Sequence, residues 1–343
     1  MKEFVTDSFL FMVATANHTF GMMYWIWLPA LVLSWLIHLR LHSLSRERLF
    51  RLKGQGSLAE AFWGGLFGFT GSPHLRSSLE AARALFSEGA HPAAASAFLI
   101  ARFNLVPYAL AFTLVLFGLE FFIGQLLGAL VMAFALWGLL KFVPAVRWEE
   151  ARQKLKERKA VTGLPAEPDP RLQGWRGAFR YIGGEFRKLW LAILVGIILA
   201  GMIGAFGRTE WTVDLTIIGG GGLPTELLNA LVGILLVLPL FVPPIGHVFA
   251  ASFLWKAYIL SYVGVVSYLL ASFINPRAIR TYYWTYRTGP GLYVAAAGFL
   301  SAAIGALAVQ GLFALVGFEV THTPFFHETV GKIMEFFSLF GGM

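Results

Sequence analysis

The chain has 343 residues, of which 57% are hydrophobic and only 13% are charged, and its mean hydropathy is +0.68. Soluble domains are about half apolar and about a quarter charged, so this composition is typical of an integral membrane protein. The sequence contains no cysteine, which excludes a disulfide framework, a zinc–thiolate site, an iron–sulfur cluster and a thiol nucleophile.

The formal net charge of +8 is distributed unevenly. Segments 40–53, 141–188 and 276–290 hold 20 of the 27 Lys and Arg residues and 7 of the 19 acids, so they carry +13 and the rest of the chain carries −5. The bases lie between apolar runs, which is the pattern of a membrane topology. A nucleic-acid-binding domain would instead carry its bases on a polar surface, so we expect no nucleic-acid partner.

Four apolar runs are long enough to cross a membrane, because a helix needs about 20 apolar residues for a hydrocarbon core of about 30 Å. They are residues 20–39, 121–141, 188–207 and 291–318. Ahead of them, residues 3–17 contain Glu3 and Asp7, which are atypical of a signal peptide, so we expect a helix of the mature protein. The charges predict cytoplasmic segments at 40–57 and 142–187 and both termini outside.

Two further apolar stretches are interrupted. Residues 58–88 are broken at Gly71, Ser72, Pro73 and His74, and residues 227–260 are broken from Pro243 to His247. Proline removes a backbone donor and glycine permits a turn, so each stretch should form two short helices. Each stretch is either a kinked full span or a re-entrant hairpin, and irregular backbone inside a membrane requires a protein or water-filled environment.

The two interrupted stretches belong to an internal repeat with an offset of about 170 residues. Each half has a crossing, a broken stretch with a histidine, a second break at an Asn/Pro site and a final crossing. The charges orient the halves oppositely, which is typical of inverted-repeat transporters. We expect an all-α polytopic membrane protein of about 8–10 membrane segments. Its parts are a first repeat (1–141), a basic linker (142–187), a second repeat (188–318) and an amphipathic tail (319–343).

The linker should contain a short amphipathic helix followed by a segment broken by Pro165, Pro168 and Pro170. We interpret it as a solvated loop that fixes the orientation, with a contact to anionic lipid as the alternative.

Residues 89–101 read GAHPAAASAFLIA, and they are followed by PYAL at 107–110 and LFG at 116–118. With the interrupted helix before them, these motifs form a block over 64–128 that resembles the predicted-permease family that includes the organoarsenical efflux permeases. A second, weaker block covers 232–311. The resemblance implies a bacterial inner-membrane exporter of trivalent organoarsenicals such as methylarsenite or aromatic arsenicals.

The sequence departs from that family in three places. Gly71 and Ser72 stand where members often have cysteine, so thiolate capture of arsenic is impossible here. The family's Ile-Asn-Pro is Leu105-Val106-Pro107 with Asn104 displaced, and Arg102 replaces a small residue.

Polar residues at the breaks are the candidate functional residues, because ionisable groups inside a membrane are costly. His74 and His247 would face one cavity if the two hairpins meet, where they could bind substrate or exchange protons, or they could simply bond freed carbonyls. No third metal ligand lies near them in sequence, which disfavours a metal site. The full set of candidates for the transport path is Gly71, Ser72, His74, Arg76, Glu80, Arg102, Asn104, Pro244, Gly246, His247, Lys256 and Asn275.

Arg76, Glu80 and Arg83 have the spacing of one helix face, as a structural ion-pair ladder or a relay. Arg102 and Lys256 should be paired, directed towards the interface or cavity-lining. Asn104 and Asn275 should cap a helix end or contact a polar solute.

We expect a secondary transporter that exports a small toxic solute in exchange for protons, through His74, His247 or Glu80. The sequence has no nucleotide-binding P-loop and no hydrolase motif, so we expect neither an enzyme nor a cofactor. The expected partners are a small-molecule substrate and membrane lipid. The alternatives are a metal-cation exporter, an intramembrane enzyme and a scaffold without transport.

Overall fold

The computed structural model describes residues 9, 13, 26–157, 172–206, 222–239, 244–256, 259–318 and 320. Within these residues the regular structure is entirely helical. The α-helices in chain order are α1 (Leu28–Leu52), α2 (Leu58–Phe69), α3 (Leu75–Ser87), α4 (Pro92–Asn104), α5 (Pro107–Phe117), α6 (Leu119–Leu140), α7 (Ala145–Glu157), α8 (Gly174–Phe206), α9 (Leu223–Leu236), α10 (Pro244–Lys256), α11 (Tyr262–Ala271), α12 (Pro276–Tyr286) and α13 (Thr288–Leu315). A short 3₁₀ turn, Ser272–Ile274, follows α11.

Two helices of the described part, α6 and residues Gly289–Leu315 of α13, are long and apolar enough to cross a membrane. They coincide with two predicted crossings, 121–141 and 291–318. A third span is formed if α4 and α5, which are bent by 47° at their junction, count as one. The other predicted crossings, 20–39 and 188–207, overlap α1 and α8 and fall partly outside the described residues. The chain is therefore an all-α, multi-pass membrane protein.

Both interrupted stretches form pairs of short helices, as predicted. Helices α2 and α3 have 12 and 13 residues, and α9 and α10 have 14 and 13. None of the four reaches the roughly 20 residues of a full crossing. The first break lies at 70–74, as predicted. The second break lies between Leu236 and Pro244, where residues 240–243 are outside the described part. The predicted break from Pro243 to His247 is therefore wrong in position, because Pro244 begins a helix, where its missing N–H costs nothing, and His247 lies in the first turn of α10. Whether each pair is a re-entrant hairpin or a kinked span stays a prediction.

Proline and asparagine define the second break in each part of the chain. Pro107 and Pro276 each take the first position of a helix, where the missing N–H costs nothing. Asn275 caps α12, because its Oδ1 accepts a hydrogen bond of 3.0 Å from the Ala278 N–H.

Glycines let neighbouring helices approach backbone to backbone. A side chain at Gly64 or Gly68 would overlap the backbone of α4, and one at Gly233 would overlap the Gly264 carbonyl of α11. Helix α2 therefore packs on α4 as α9 packs on α11. Gly128 of α6 and Gly305 of α13 bring the two parts of the chain together in the same way.

The predicted amphipathic helix of the linker is α7, which buries Trp148, Ala151 and Leu155. Helix α7 contacts both parts of the molecule. The Arg152 Nε donates to the Phe86 carbonyl at 2.9 Å, and the Trp148 ring lies 5.7 Å from the Tyr286 ring. Helix α8 begins at Gly174, so residues 174–187 of the predicted linker are helical.

Three regions of the prediction lie outside the described residues. They are the proline-containing segment of the linker, the N-terminal helix at 3–17 apart from residues 9 and 13, and the tail 319–343 apart from residue 320.

Candidate functional site

The first helix break is held by Arg102, which reaches it from α4. The Arg102 Nε donates a hydrogen bond of 2.8 Å to the Ser72 carbonyl, and the guanidinium lies 4.8 Å from the centre of the Phe98 ring. Arg102 is 8% exposed. A side chain at Gly71 would overlap the guanidinium, so the glycine makes room for the arginine.

A second buried charge, Glu185 of α8, lies beside this break. Its Oε2 accepts a hydrogen bond of 2.6 Å from the Tyr108 hydroxyl, which is also 3.5 Å from the Ser72 Oγ. Its Oε1 forms an ion pair of 2.8 Å with the Lys188 ammonium. The Glu185 side chain is 3% exposed and that of Lys188 is 53% exposed, so the pair joins a buried carboxylate to an accessible ammonium.

Ser72, Arg102, Tyr108, Glu185 and Lys188, called here the break cluster, come from three separate parts of the sequence. A buried charge is costly unless it is paired and hydrogen-bonded, and the structure meets this condition with opposite charges and a shared hydroxyl network. Arg102 and Glu185 bring opposite charges to the same break, through the Ser72 carbonyl and the Tyr108 hydroxyl respectively. The cluster thus combines donors, an acceptor and fixed charge at a point where the helical backbone is interrupted.

Histidines and a tyrosine extend this polar region along α1. The His38 Nδ1 lies 2.9 Å from the Thr70 carbonyl, and the His42 Nδ1 lies 3.0 Å from the Thr70 Oγ1. The Tyr181 ring, one helical turn before Glu185, is 5.6 Å from the His38 ring, and its hydroxyl is 3.3 Å from the Ser34 Oγ. Polar groups therefore continue from Glu185 to His42.

The two candidate histidines have different surroundings. His74 precedes α3, is half-buried, and its Nδ1 lies 3.3 Å from the Ser77 Oγ. It follows Ser72 by two residues, which places it beside the break cluster. His247 is fully buried in α10, and its Nδ1 lies 2.6 Å from the Tyr268 hydroxyl. That the two histidines share one cavity stays a prediction.

The remaining charged candidates lie towards the surface. Arg76 and Glu80 form an ion pair of 3.0 Å in which the side chains are 78% and 42% exposed. Arg83 adds no ion pair within the described part of the chain, so the ladder is limited there to one pair. Lys256 ends α10, with its ammonium 5.5 Å from the centre of the Phe253 ring.

The asparagines and the second-break residues have local contacts. The Asn104 Nδ2 donates to the Ile100 carbonyl at 3.2 Å, and the Asn104 carbonyl accepts 3.1 Å from the Gln125 Nε2. Pro244 begins α10, and Gly246 packs against Gly196 of α8 so closely that a side chain at Gly196 would overlap its backbone.

Comparison with known proteins identifies the family of the chain. A family model described as a predicted permease, ArsP_1, matches residues 12–311. The chain belongs to this family. No curated protein matches the chain, and no solved structure does.

Membership confirms the resemblance that the sequence motifs indicated, and the break cluster shows how the departures from the family fit together. Gly71 and Arg102 are complementary, because the arginine occupies the space that a side chain at position 71 would need. Ser72 contributes its carbonyl to Arg102 and its hydroxyl to Tyr108.

Sequence reasoning missed Tyr108, Glu185 and Lys188. Tyr108 belongs to an apolar family motif, and the other two fall at the boundary of a segment interpreted as a basic loop. A signal was present, since Tyr181, Glu185 and Lys188 have the spacing of one helix face immediately before an apolar run. An acid on such a face, followed by a membrane-length run, indicates a helix that enters the membrane with its charge paired.

Proposed function

We propose that this permease is a secondary transporter that exports small, partly apolar toxic solutes, with trivalent organoarsenicals such as methylarsenite or aromatic arsenicals as its substrates. The observation that carries the proposal is the break cluster. Buried ionisable groups in membrane segments are expensive and usually functional, and transporters place their substrate sites at broken helices. The family supports transport, and the buried charges of the cluster support the first break as the proposed location of the solute site.

The chemistry of the cluster suits a neutral solute that carries hydroxyl groups. Methylarsenite presents hydroxyls that donate and accept hydrogen bonds, together with an apolar methyl group. The Glu185 carboxylate and the Ser72 carbonyl are acceptors, the Tyr108 hydroxyl and Arg102 guanidinium are donors, and Phe98 lines the same place. Because the chain has no cysteine, recognition would rest on hydrogen bonds and apolar contact. Arg102 and Lys188 disfavour a metal cation as the solute.

Proton exchange is the proposed driving reaction, and Glu185 is the carboxylate best placed for it. Glu80, an earlier candidate, is exposed and paired with Arg76, whereas Glu185 is buried and joined to the accessible Lys188. Protonation of Glu185 would release Lys188 and free the Tyr108 hydroxyl for the solute. His74, with the cluster's charges acting on it, and His38 are the neighbouring imidazoles that could pass the proton.

We also propose that the two parts of the chain are inverted repeats, in a bacterial inner membrane with both termini outside. The order of helices supports this, because α2 to α6 and α9 to α13 have matching breaks and packing. A further correspondence is a hydrogen bond in each part that joins the first short helix to the start of the third helix, α2 to α4 and α9 to α11. The Glu60 carboxylate accepts 2.7 Å from the His91 N–H, and the Glu226 carboxylate accepts 2.8 Å from the Ser261 hydroxyl.

The lack of cysteine makes the topology easy to test, because a thiol reagent can label only the single cysteine that is introduced. Lys156→Cys in α7 should be protected from an impermeant thiol reagent in intact cells and labelled in everted vesicles. Thr212→Cys should show the reverse. Labelling of both positions from the same side would contradict the proposed topology.

Transport itself is tested in everted membrane vesicles given a proton gradient and methylarsenite. The wild-type protein should accumulate the arsenical, and an uncoupler should abolish accumulation. Accumulation that survives the uncoupler would overturn proton coupling, and no accumulation of any trivalent arsenical would overturn the substrate assignment.

A growth assay in a host without arsenical exporters separates the candidate residues. Glu185→Gln should lose protection against methylarsenite while the protein level in the membrane stays normal. His74→Ala and His247→Ala should be compared beside it, with the exposed pair variant Glu80→Gln as the control that keeps protection. Full protection by Glu185→Gln would remove this carboxylate from the mechanism.

A further inference from the structure

A small cavity lies where the linker helix α7 meets α12 and the start of α13. Its volume is about 240 Å³, which is about eight times the ~30 Å³ that one water occupies in the liquid. It is lined by Lys154 of α7, by Tyr283, Trp284 and Thr285 in the last turn of α12, and by Arg287 between α12 and α13. The cavity is separate from the break cluster and shares no residue with it.

The polar side chains that line the cavity can donate hydrogen bonds, and two of them are positively charged. The Thr285 side chain is buried, and its Oγ1 has no hydrogen-bond partner among the residues that the structure describes, although buried hydroxyls are normally bonded. Lys154 forms no ion pair within that part of the chain. Arg287 reaches only Glu150, at 3.5 Å and with both side chains about half exposed, and such pairs contribute little. The site therefore has cationic donors in excess.

The backbone at Arg287 is held in an unusual conformation. Its φ of +69° is the only positive φ of a non-glycine residue in the described part of the chain. A bulky L-residue rarely adopts this region, and such outliers concentrate at ligand sites where the surroundings fix them. Here the conformation ends α12, begins α13 and keeps the guanidinium at the cavity wall.

The adjoining span and the exposed aromatic residues indicate that the cavity faces a membrane surface. Helix α13 is apolar enough to span a membrane from Gly289 onwards, two residues after Arg287. Trp284 and Tyr283 are 48% and 39% exposed beside it, and exposed Trp and Tyr at the end of a span are typical of the headgroup region. We propose that this cavity binds the phosphate headgroup of an anionic phospholipid, because basic pockets at the ends of spans suit such headgroups.

The test uses the full-length protein, purified in detergent and titrated with phosphatidylglycerol or phosphatidylcholine while bound lipid is counted by native mass spectrometry. The wild type should prefer phosphatidylglycerol. The double variant Lys154→Gln/Arg287→Gln should lower its affinity about 25-fold, since each base near an anionic lipid surface contributes a factor of about five. Lys156→Gln/Arg280→Gln changes the same charge on α7 and α12, outside the cavity, and should keep most of the affinity.

Two further variants separate a lipid site from a structural role. Thr285→Val should weaken phosphatidylglycerol binding without lowering the melting temperature of the delipidated protein, because the hydroxyl bonds to no other residue that the structure describes. Arg287→Gly should relieve the backbone, so its delipidated melting temperature should be equal to or above that of the wild type while lipid affinity falls. Unchanged affinity in both would overturn the site.

The remaining outcomes also decide the question. Equal loss in the control double variant would show general surface attraction and overturn a specific site. Equal binding of phosphatidylcholine would overturn the anionic preference. Displacement of phosphatidylglycerol by millimolar inorganic phosphate, with no effect of sulfate or of the acyl chains, would assign the cavity to free phosphate. None of these measurements of lipid binding and melting temperature depends on the transported solute, so they test the lipid site independently of the proposed transport.

Discussion

The two broken stretches share a backbone plan and differ in their polar content. At the first break Arg102, Glu185 and Lys188 bring three charges to an interrupted helix. At the second, the fully buried His247 meets the neutral hydroxyl of Tyr268. Proline thus occurs at the break in both parts, while charge is concentrated in one. A repeated framework does not require a repeated site, and function is best sought where the two parts diverge.

The strongest way to break this contrast is to remove the charge that holds the first break. Arg102→Leu should abolish arsenical protection and lower the free energy of unfolding by about 3 kcal/mol, since the buried Ser72 carbonyl loses its hydrogen bond from a charged donor. Ser272→Ala, at the corresponding position of the second part, should change both readouts little. Chemical unfolding in detergent and the growth assay measure the two effects. Equal losses in the two variants would contradict the contrast.

The complementarity of Gly71 and Arg102 predicts a coupling between two positions. Gly71→Ala should cost about 2 kcal/mol, because the added methyl group overlaps the guanidinium and forces a rearrangement. In the background Arg102→Ala the same substitution should cost almost nothing, which a double-mutant cycle of unfolding free energies measures. Additive effects would show that the two residues act independently.

Two matched tyrosines compare a charged hydrogen bond with a neutral one. Tyr108→Phe removes the donor to Glu185 and should cost about 2 kcal/mol, whereas Tyr268→Phe removes the contact with His247 and should cost about 1 kcal/mol. Only Tyr108→Phe should also reduce arsenical transport. The opposite ranking in unfolding and transport assays would move the functional site to the second break.

The smallest expected effect concerns the Asn/Pro site at the start of α12, away from both breaks. Asn275→Ala removes the cap of α12 and should cost about 1 kcal/mol, while Asn275→Asp, which retains an acceptor oxygen, should keep most of the stability. Neither change should affect protection if Asn275 is only a cap. Loss of protection in the stable Asp variant would make Asn275 a solute ligand.

Hydropathy together with Pro and Gly predicted α6, α13 and the pieces of both interrupted stretches, because these features report directly on helix length and helix ends. The nearby candidates Gly71, Ser72, His74 and Arg102 also converge on one region. Their partners come from distant segments, and one sequence does not report which distant helices meet.

Glu185 illustrates the limit of the charge pattern. The excess of bases in 142–187 predicts a linker outside the membrane, with one amphipathic helix, yet α8 begins at Gly174 and carries the Glu185 carboxylate into the bundle. A count of charges places a segment relative to the membrane, whereas the position of one acid on a helix face decides whether that acid is buried. Arg76 and Glu80 show the converse, since correct helical spacing placed them together but at the surface.

Helix α7 belongs to a linker that the sequence predicts to be a solvated loop fixing the orientation, but the helix contacts both parts of the molecule. Arg152 donates hydrogen bonds to backbone carbonyls at and after the end of α3, and the Trp148 ring packs against Tyr286 of α12. This one short amphipathic helix therefore contacts both parts of the chain. If transport requires the two parts to move relative to each other, α7 must either move with one part or break and re-form its contacts with the other part during every cycle. The linker would then limit how far the two parts can rotate relative to each other.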